Sequence, residues 1–181
     1  MATSPWSVDD AEAALLSKDA PSYELVDGQL VERHVSFESS RVASLVTVRL
    51  GGYVYANKLG SVADSELGMR IFSDPMTTRR ADVSFLASAR VPRSDQGFLR
   101  VPPDLVVEVV SPGDKASEIR SKTDEWLRAG VRLVWVVYPE AREVQVYPVG
   151  ERPVILGAGD EIGGGDVVPG FVCKVSDFFP E

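Results

Sequence analysis

Two short apolar runs, each carrying one carboxylate, constrain this chain more than any other feature of its sequence. In Asp104-Leu-Val-Val-Glu-Val-Val110 the residues around Glu108 are continuously aliphatic, the pattern of a strand covered on both faces. Alternation puts Asp104, Val106, Glu108 and Val110 on one face and Leu105, Val107 and Val109 on the other. Ala81 to Ala87 reads as a second strand, with Asp82 set among Val83, Phe85 and Leu86. An ionised carboxylate in such surroundings is costly unless something compensates it, and a bound cation would do so.

A helix follows the second run. Ser111-Pro112-Gly113-Asp114 is turn material, and from Lys115 the apolar residues Ile119, Trp126 and Leu127 recur at helical spacing up to Gly130, a C′ glycine. Lys122 is three residues from Ile119 and four from Trp126, so the helix lays its ammonium on the inward side, toward the sheet. A strand, a short turn and a packed-back helix then bring Lys122 near Glu108 and Asp82. Two readings stay open at this point: a purely structural ion pair with Lys122, or a cation site.

The ordered set Tyr23-Glu-Leu-Val-Asp-Gly-Gln-Leu30, Arg80-Ala-Asp-Val-Ser-Phe-Leu86, Pro103-Asp-Leu-Val-Val-Glu-Val-Val-Ser-Pro112 and Lys122 with Ala129-Gly-Val131 resembles the Uma2 endonuclease family of the PD-(D/E)XK nuclease superfamily. The likeness spans roughly residues 20 to 179, since Val168-Pro-Gly-Phe171 and Asp177-Phe-Phe179 also look like that family's ending. It implies an α/β fold: a restriction-endonuclease-like mixed β-sheet flanked by helices, with added β-hairpins. It further implies a metal-dependent DNA endonuclease in which Asp82 and Glu108 bind Mg²⁺ or Mn²⁺, Lys122 orients the attacking water and Glu24 is a supporting acid beside the metal. The sequence departs from the pattern in four places. Ala81 stands where the superfamily has Pro, Ser39 where the family often carries His, and Tyr138 where it usually has Asp. Val110 occupies the usual lysine position two residues after the glutamate, so that role passes to Lys122 in preference to Lys115.

At 181 residues, 44% of them hydrophobic, the chain fits one domain with a sizeable core, residues 1–19 forming an N-terminal helix and lead-in and 20–179 the core. Ser7-Val-Asp-Asp10 resembles a capping box ahead of a short helix over Ala11 to Leu16. A single cysteine, Cys173, excludes an intrachain disulfide. No apolar run approaches a bilayer span, and nothing in the N-terminal residues has the basic region and apolar run of a signal peptide, so a cytoplasmic protein that does not enter the membrane is expected. The net charge of −8 opposes tight binding to duplex DNA by this chain alone, because non-specific affinity rests on neutralising phosphates.

Other elements are legible. Asp27-Gly28 between two strand-like runs predicts a hairpin, with Glu24 on its first strand, where residue type alone leaves a solvated glutamate equally open. From Ser36, Val42, Leu45, Val46, Leu50, Tyr53 and Val54 predict an amphipathic helix ending near Gly60, despite Gly51-Gly52. Ser61 to Phe72 reads as one strand leading through Asp74-Pro75 to Arg79-Arg80, which are either solvated turn charges or phosphate contacts. Asp104 reads as a strand-start residue satisfying backbone N–H groups. Trp126 and Trp135 read as core. His34 has no partner for a zinc site. Residues 150 to 170 are rich in Gly and Pro, and Gly163-Gly-Gly165 is a loop with no phosphate-binding signature.

If Asp82 and Glu108 converge, they offer hard oxygen ligands suited to Mg²⁺ or Mn²⁺. DNA is the expected substrate, and whether the chain acts as a monomer or a homodimer is left open. Two rivals stand beside the endonuclease: a nuclease-fold binding or assembly module without turnover, and a hydrolase of small phosphodiesters.

Overall fold

The computed structural model describes residues 23–93 and 97–180. The helix expected over Ala11 to Leu16 and the rest of the first 19 residues lie outside the described residues. The chain then forms β1 (Tyr23–Val26), β2 (Gln29–Glu32), α1 (Phe37–Ala56), β3 (Gly60–Asp64), β4 (Gly68–Ser73), β5 (Met76–Arg80), β6 (Val83–Ala87) and β7 (Leu105–Val109). After these come α2 (Ala116–Arg128), β8 (Leu133–Tyr138), β9 (Glu143–Pro148), β10 (Val154–Gly157), β11 (Glu161–Gly163) and β12 (Val172–Lys174).

The main sheet has six strands in the order β10-β9-β8-β7-β6-β3. It is mixed: β7 and β8 run parallel, as their α2 crossover requires, and the other pairs are antiparallel. The alternation predicted for β7 holds. Leu105, Val107 and Val109 face a core completed by Val42, Val46, Leu50 and Val54 of α1 and by Phe171, Val175 and Phe178 of the tail. Val106 and Val110 face the other way, onto Trp126, Ile119 and Leu127 of α2. One helix therefore covers each face. Trp126 and Trp135 are fully buried, as core residues should be.

A second, four-stranded antiparallel sheet, β2-β1-β5-β4, lies beside the first. Its β1–β2 hairpin turns at Asp27 and Gly28, both at positive φ (49° and 76°), which is why this dipeptide suits the turn. Ser36 caps α1 through a reciprocal pair of bonds with Ser39. The helix runs to Ala56 with Gly51 and Gly52 inside it, because packing of its buried stripe outweighs the glycine penalty.

Four expectations are corrected or refined. Ser61 to Phe72 is not one strand but two, β3 and β4, in different sheets; the Asp64 carboxylate and carbonyl accept from Glu66 and Leu67 N–H and break the run. Arg79 and Arg80 are not solvated turn charges: both lie within β5 and are buried. Asp82 sits just before β6 rather than within it. Residues 150 to 170 also hold strand as well as loop, since β10 extends the main sheet by pairing Val154 to Gly157 with β9.

Candidate active site

The β6–β7 ladder ends at Val83 opposite Val107. Beyond that point the Asp82 carboxylate takes over from the backbone, its Oδ2 accepting from Val109 N–H at 2.7 Å. That bond ties Asp82 to the residue next to Glu108. On the facing helix α2, Lys122 Nζ donates to Glu108 Oε2 at 2.9 Å and Trp126 Nε1 donates to Glu108 Oε1 at 2.7 Å. Lys122 and Trp126 reach the same carboxylate because they stand one helical turn apart. Lys122 also lies 3.4 Å from Glu24 Oε1 and 3.4 Å from the Arg80 carbonyl oxygen.

Glu24 is buried on β1 and ties that strand to β5 of the same sheet and to Lys122 of α2. Its Oε1 accepts from Arg80 N–H at 2.7 Å and its Oε2 from Arg79 Nη1 at 2.9 Å. Arg79 spends its remaining donors on Glu125 Oε2, at 2.9 Å from Nε and 2.6 Å from Nη2. Arg33, just past β2, closes the group: its Nη2 donates to Asp82 Oδ1 at 3.1 Å. Asp82, Glu108, Lys122 and Glu24 thus all line one cleft of about 460 Å³. The structure brings together the four residues that the sequence singled out.

The charges in this cleft are unevenly compensated. Burial raises the Glu108 carboxyl to about 7; Lys122 pulls it down, while Asp82 and Glu24 push it further up. Burial likewise raises Asp82 against the pull of Lys122 and the Val109 N–H. Glu24 is also pushed up by burial, but Lys122, Arg79 and the Arg80 N–H more than reverse this and hold it below the usual carboxylate range. Burial alone would depress Lys122, yet Glu108, Glu24 and Asp82 outweigh it and raise its pKa. Lys122 is therefore an ammonium, a donor of hydrogen bonds and positive charge rather than a base.

These shifts set a pH dependence. A carboxyl whose folded pKa lies above its unfolded value favours the fold while protonated. That contribution is complete below the ordinary 4.5 and is lost as pH rises through about 7. The ion-free protein is therefore expected to lose about 3 kcal/mol of stability relative to Glu108→Gln on going from acidic to mildly alkaline pH. Urea unfolding in chelator across that range measures the difference. Parallel curves for the two proteins would show that Glu108 carries no such shift.

Several residues here escaped sequence reasoning. Glu125 stands three residues from Lys122 on the same helical face, a spacing that was available as a signal. Trp126 was read only as apolar bulk, although its N–H binds Glu108. The pairing of Arg79 with Glu24 and Glu125, and of Arg33 with Asp82, had no local signature. Asp104 behaves as the sequence suggested, its Oδ2 accepting from Ala87 N–H at 2.8 Å; Arg90 adds an ion pair at 2.6 Å. His34 is exposed on the rim of the cleft.

Among the described residues no three His, Cys, Asp or Glu side chains form a ready-made metal cage. The donor set still fits a hard divalent ion: two carboxylates, oxygen donors only, both with pKa values raised chiefly by burial, at side-chain exposures of 21% for Asp82 and 12% for Glu108. Magnesium is commonly held by one or two carboxylates, with water and substrate phosphate completing the shell.

A mixed sheet with a helix on each face, and with paired acids and a lysine where its inner strands β6 and β7 part, defines a restriction-endonuclease-like fold. A crystal structure from Anabaena variabilis, described as "a putative nuclease belonging to DUF820", has this architecture: it matches with a TM-score of 0.81 over 96% of this chain and 97% of that one, at 17% identity. The profile of the Uma2 family, described as "Putative restriction endonuclease", matches residues 9–176. The chain belongs to the Uma2 family. No curated protein matches it. Among the described residues no helix is long and apolar enough to cross a membrane.

Proposed function

We propose that this protein is a divalent-metal-dependent DNA endonuclease in which Asp82 and Glu108 hold Mg²⁺ or Mn²⁺ and Lys122 acts on the attacking water. The observation that carries the reading is the Lys122 ammonium, 2.9 Å from Glu108 in the cleft that Asp82 also enters. When bound, the ion would polarise a phosphodiester oxygen and lower the pKa of a coordinated water. The rest of the work falls to the chain. Lys122 stays protonated through its three acidic neighbours, so it can orient a water by hydrogen bonding and stabilise negative charge growing on the phosphorus oxygens. Asp82 is held in place by Val109 N–H and Glu108 by Trp126 Nε1, which fixes both acids before any ligand arrives. Glu24 acts through its neighbours: it anchors Arg79, the Arg80 backbone and the Lys122 amine, and so positions them.

Incubation of the protein with plasmid DNA in Mg²⁺ or Mn²⁺, and in chelator, tests this. Cleavage should require the cation and disappear in Asp82→Ala and in Glu108→Ala while circular dichroism shows both variants folded. Full activity in either variant would refute the assignment.

The net charge of −8 and the protein cations already paired with both acids favour a second reading, a nuclease fold kept for binding without turnover. Calorimetry with Mn²⁺ separates the two, because a module lacking the metal site shows no binding that depends on Asp82.

A further inference from the structure

Arg33 has no place in the motif set that marks the family, yet it holds one of the two acids on which the proposed centre depends. Its Nη2 donates to Asp82 Oδ1 at 3.1 Å, and among the described residues that is its only hydrogen bond; its Nε lies 3.9 Å from Glu24 Oε1. Two other cations of the cleft are more firmly committed. Arg79 spans two buried carboxylates, and Lys122 contacts Glu108, Glu24 and a backbone carbonyl.

The backbone under Arg33 is also less constrained. It follows β2, an edge strand with exposed residues that pairs only with β1, and it precedes the cap of α1 at Ser36. Arg33 and Asp82 together form the wall between the main cleft and a second pocket of about 400 Å³ along α1, which Ser39, Ser40, Ser44 and Thr47 help to line. The Arg33 side chain is 10% exposed at that wall, where it borders both pockets, and its planar fork matches two phosphate oxygens.

We infer that Arg33 is an exchangeable partner of Asp82: it stands in for the divalent ion in the ion-free protein and passes to the substrate's phosphodiester when the ion takes Asp82. This rests on the reading of Asp82 as a metal ligand given above. The exchange ties metal loading to substrate binding, since the ion and the phosphate together replace one ion pair.

Two binding measurements on the full chain test it without reference to turnover. Mn²⁺ titrated calorimetrically should bind Arg33→Gln roughly tenfold more tightly than wild type, the competing charged hydrogen bond having been removed. A short labelled DNA duplex, followed by fluorescence anisotropy in Ca²⁺, should bind Arg33→Gln roughly tenfold more weakly, for loss of the phosphate contact. A merely structural arginine would weaken both. If Mn²⁺ binding by wild type depends on Asp82 but Arg33→Gln binds the ion no more tightly, or binds the duplex unchanged, the exchange is wrong and the metal centre stands. If wild type shows no binding that depends on Asp82, the centre itself falls and the exchange with it. Should Arg33→Gln not fold, Arg33→Met, which keeps the apolar stem and removes the charge, decides in the same way: tighter ion and weaker duplex support the exchange, and any other pair of results overturns it.

Discussion

Lys122→Met should slow DNA cleavage by roughly 10²–10³-fold, the usual cost of removing one preorganised charge from a transition state. The protonation state of the amine decides its role. Three acids within the cleft raise the lysine's pKa, so its role cannot be that of a neutral amine accepting a proton, and the loss should not be recovered by raising the pH. Methionine keeps the stem and its packing on α2 but leaves Glu108 Oε2 without its 2.9 Å donor and Glu24 without its second cation. Lys122→Arg retains the charge and should recover part of the rate. Single-turnover cleavage at saturating Mn²⁺ gives the comparison. A Lys122→Met protein cleaving at the wild-type rate would remove the amine from the mechanism.

The largest effect on stability should come from Arg79→Leu. Both acids that it binds are buried, Glu24 at 4% and Glu125 at 8% exposure; removing the shared cation leaves Glu125, among the described residues, without an ion pair and Glu24 dependent on Lys122 at 3.4 Å and Arg33 at 3.9 Å. Breaking a buried pair in this way costs about 3–5 kcal/mol, a fall in Tm of roughly 10 °C for a chain of this size. Adding Glu125→Leu should restore part of the loss, since the unpaired charge is then gone. The exposed pair Arg49–Asp177, at 3.8 Å with Arg49 52% exposed, offers a control: Arg49→Leu should change stability by less than about 1 kcal/mol. Thermal and urea unfolding of the three variants checks this. If Arg79→Leu were no worse than Arg49→Leu, the Glu24–Arg79–Glu125 chain would not support the site.

What could be read from the sequence was whatever local periodicity and turn chemistry decide. Asp27-Gly28 specified its hairpin because the turn demands positive φ at both positions. The alternation of β7 separated Glu108 from Leu105, Val107 and Val109, and the spacing of α2 put Lys122 on its inward face; meeting at 2.9 Å was then a matter of one strand, one turn and one helix. The rest is tertiary. Arg79 lies 55 residues from Glu24 and 46 from Glu125, and nothing near Arg79 announces that two acids will close on it, so two adjacent arginines in a polar stretch resembled a turn. The strand β10 was hidden because glycines and prolines around it obscure its period, while its pairing with β9 supplies the order that its own sequence lacks. Asp82 was seen as important but placed one residue too far into its strand. Its position before β6 is what frees its carboxylate to take the Val109 N–H and face the cleft.

The account stands on Asp82 and Glu108 sharing one divalent ion beside Lys122. Anomalous diffraction at the manganese edge, from crystals of the wild-type chain soaked in Mn²⁺, tests this most directly. The prediction is one strong peak between the two carboxylates, absent from crystals of Asp82→Asn treated in the same way. A manganese peak bound elsewhere, or none at this cleft while the protein cleaves DNA, would contradict it.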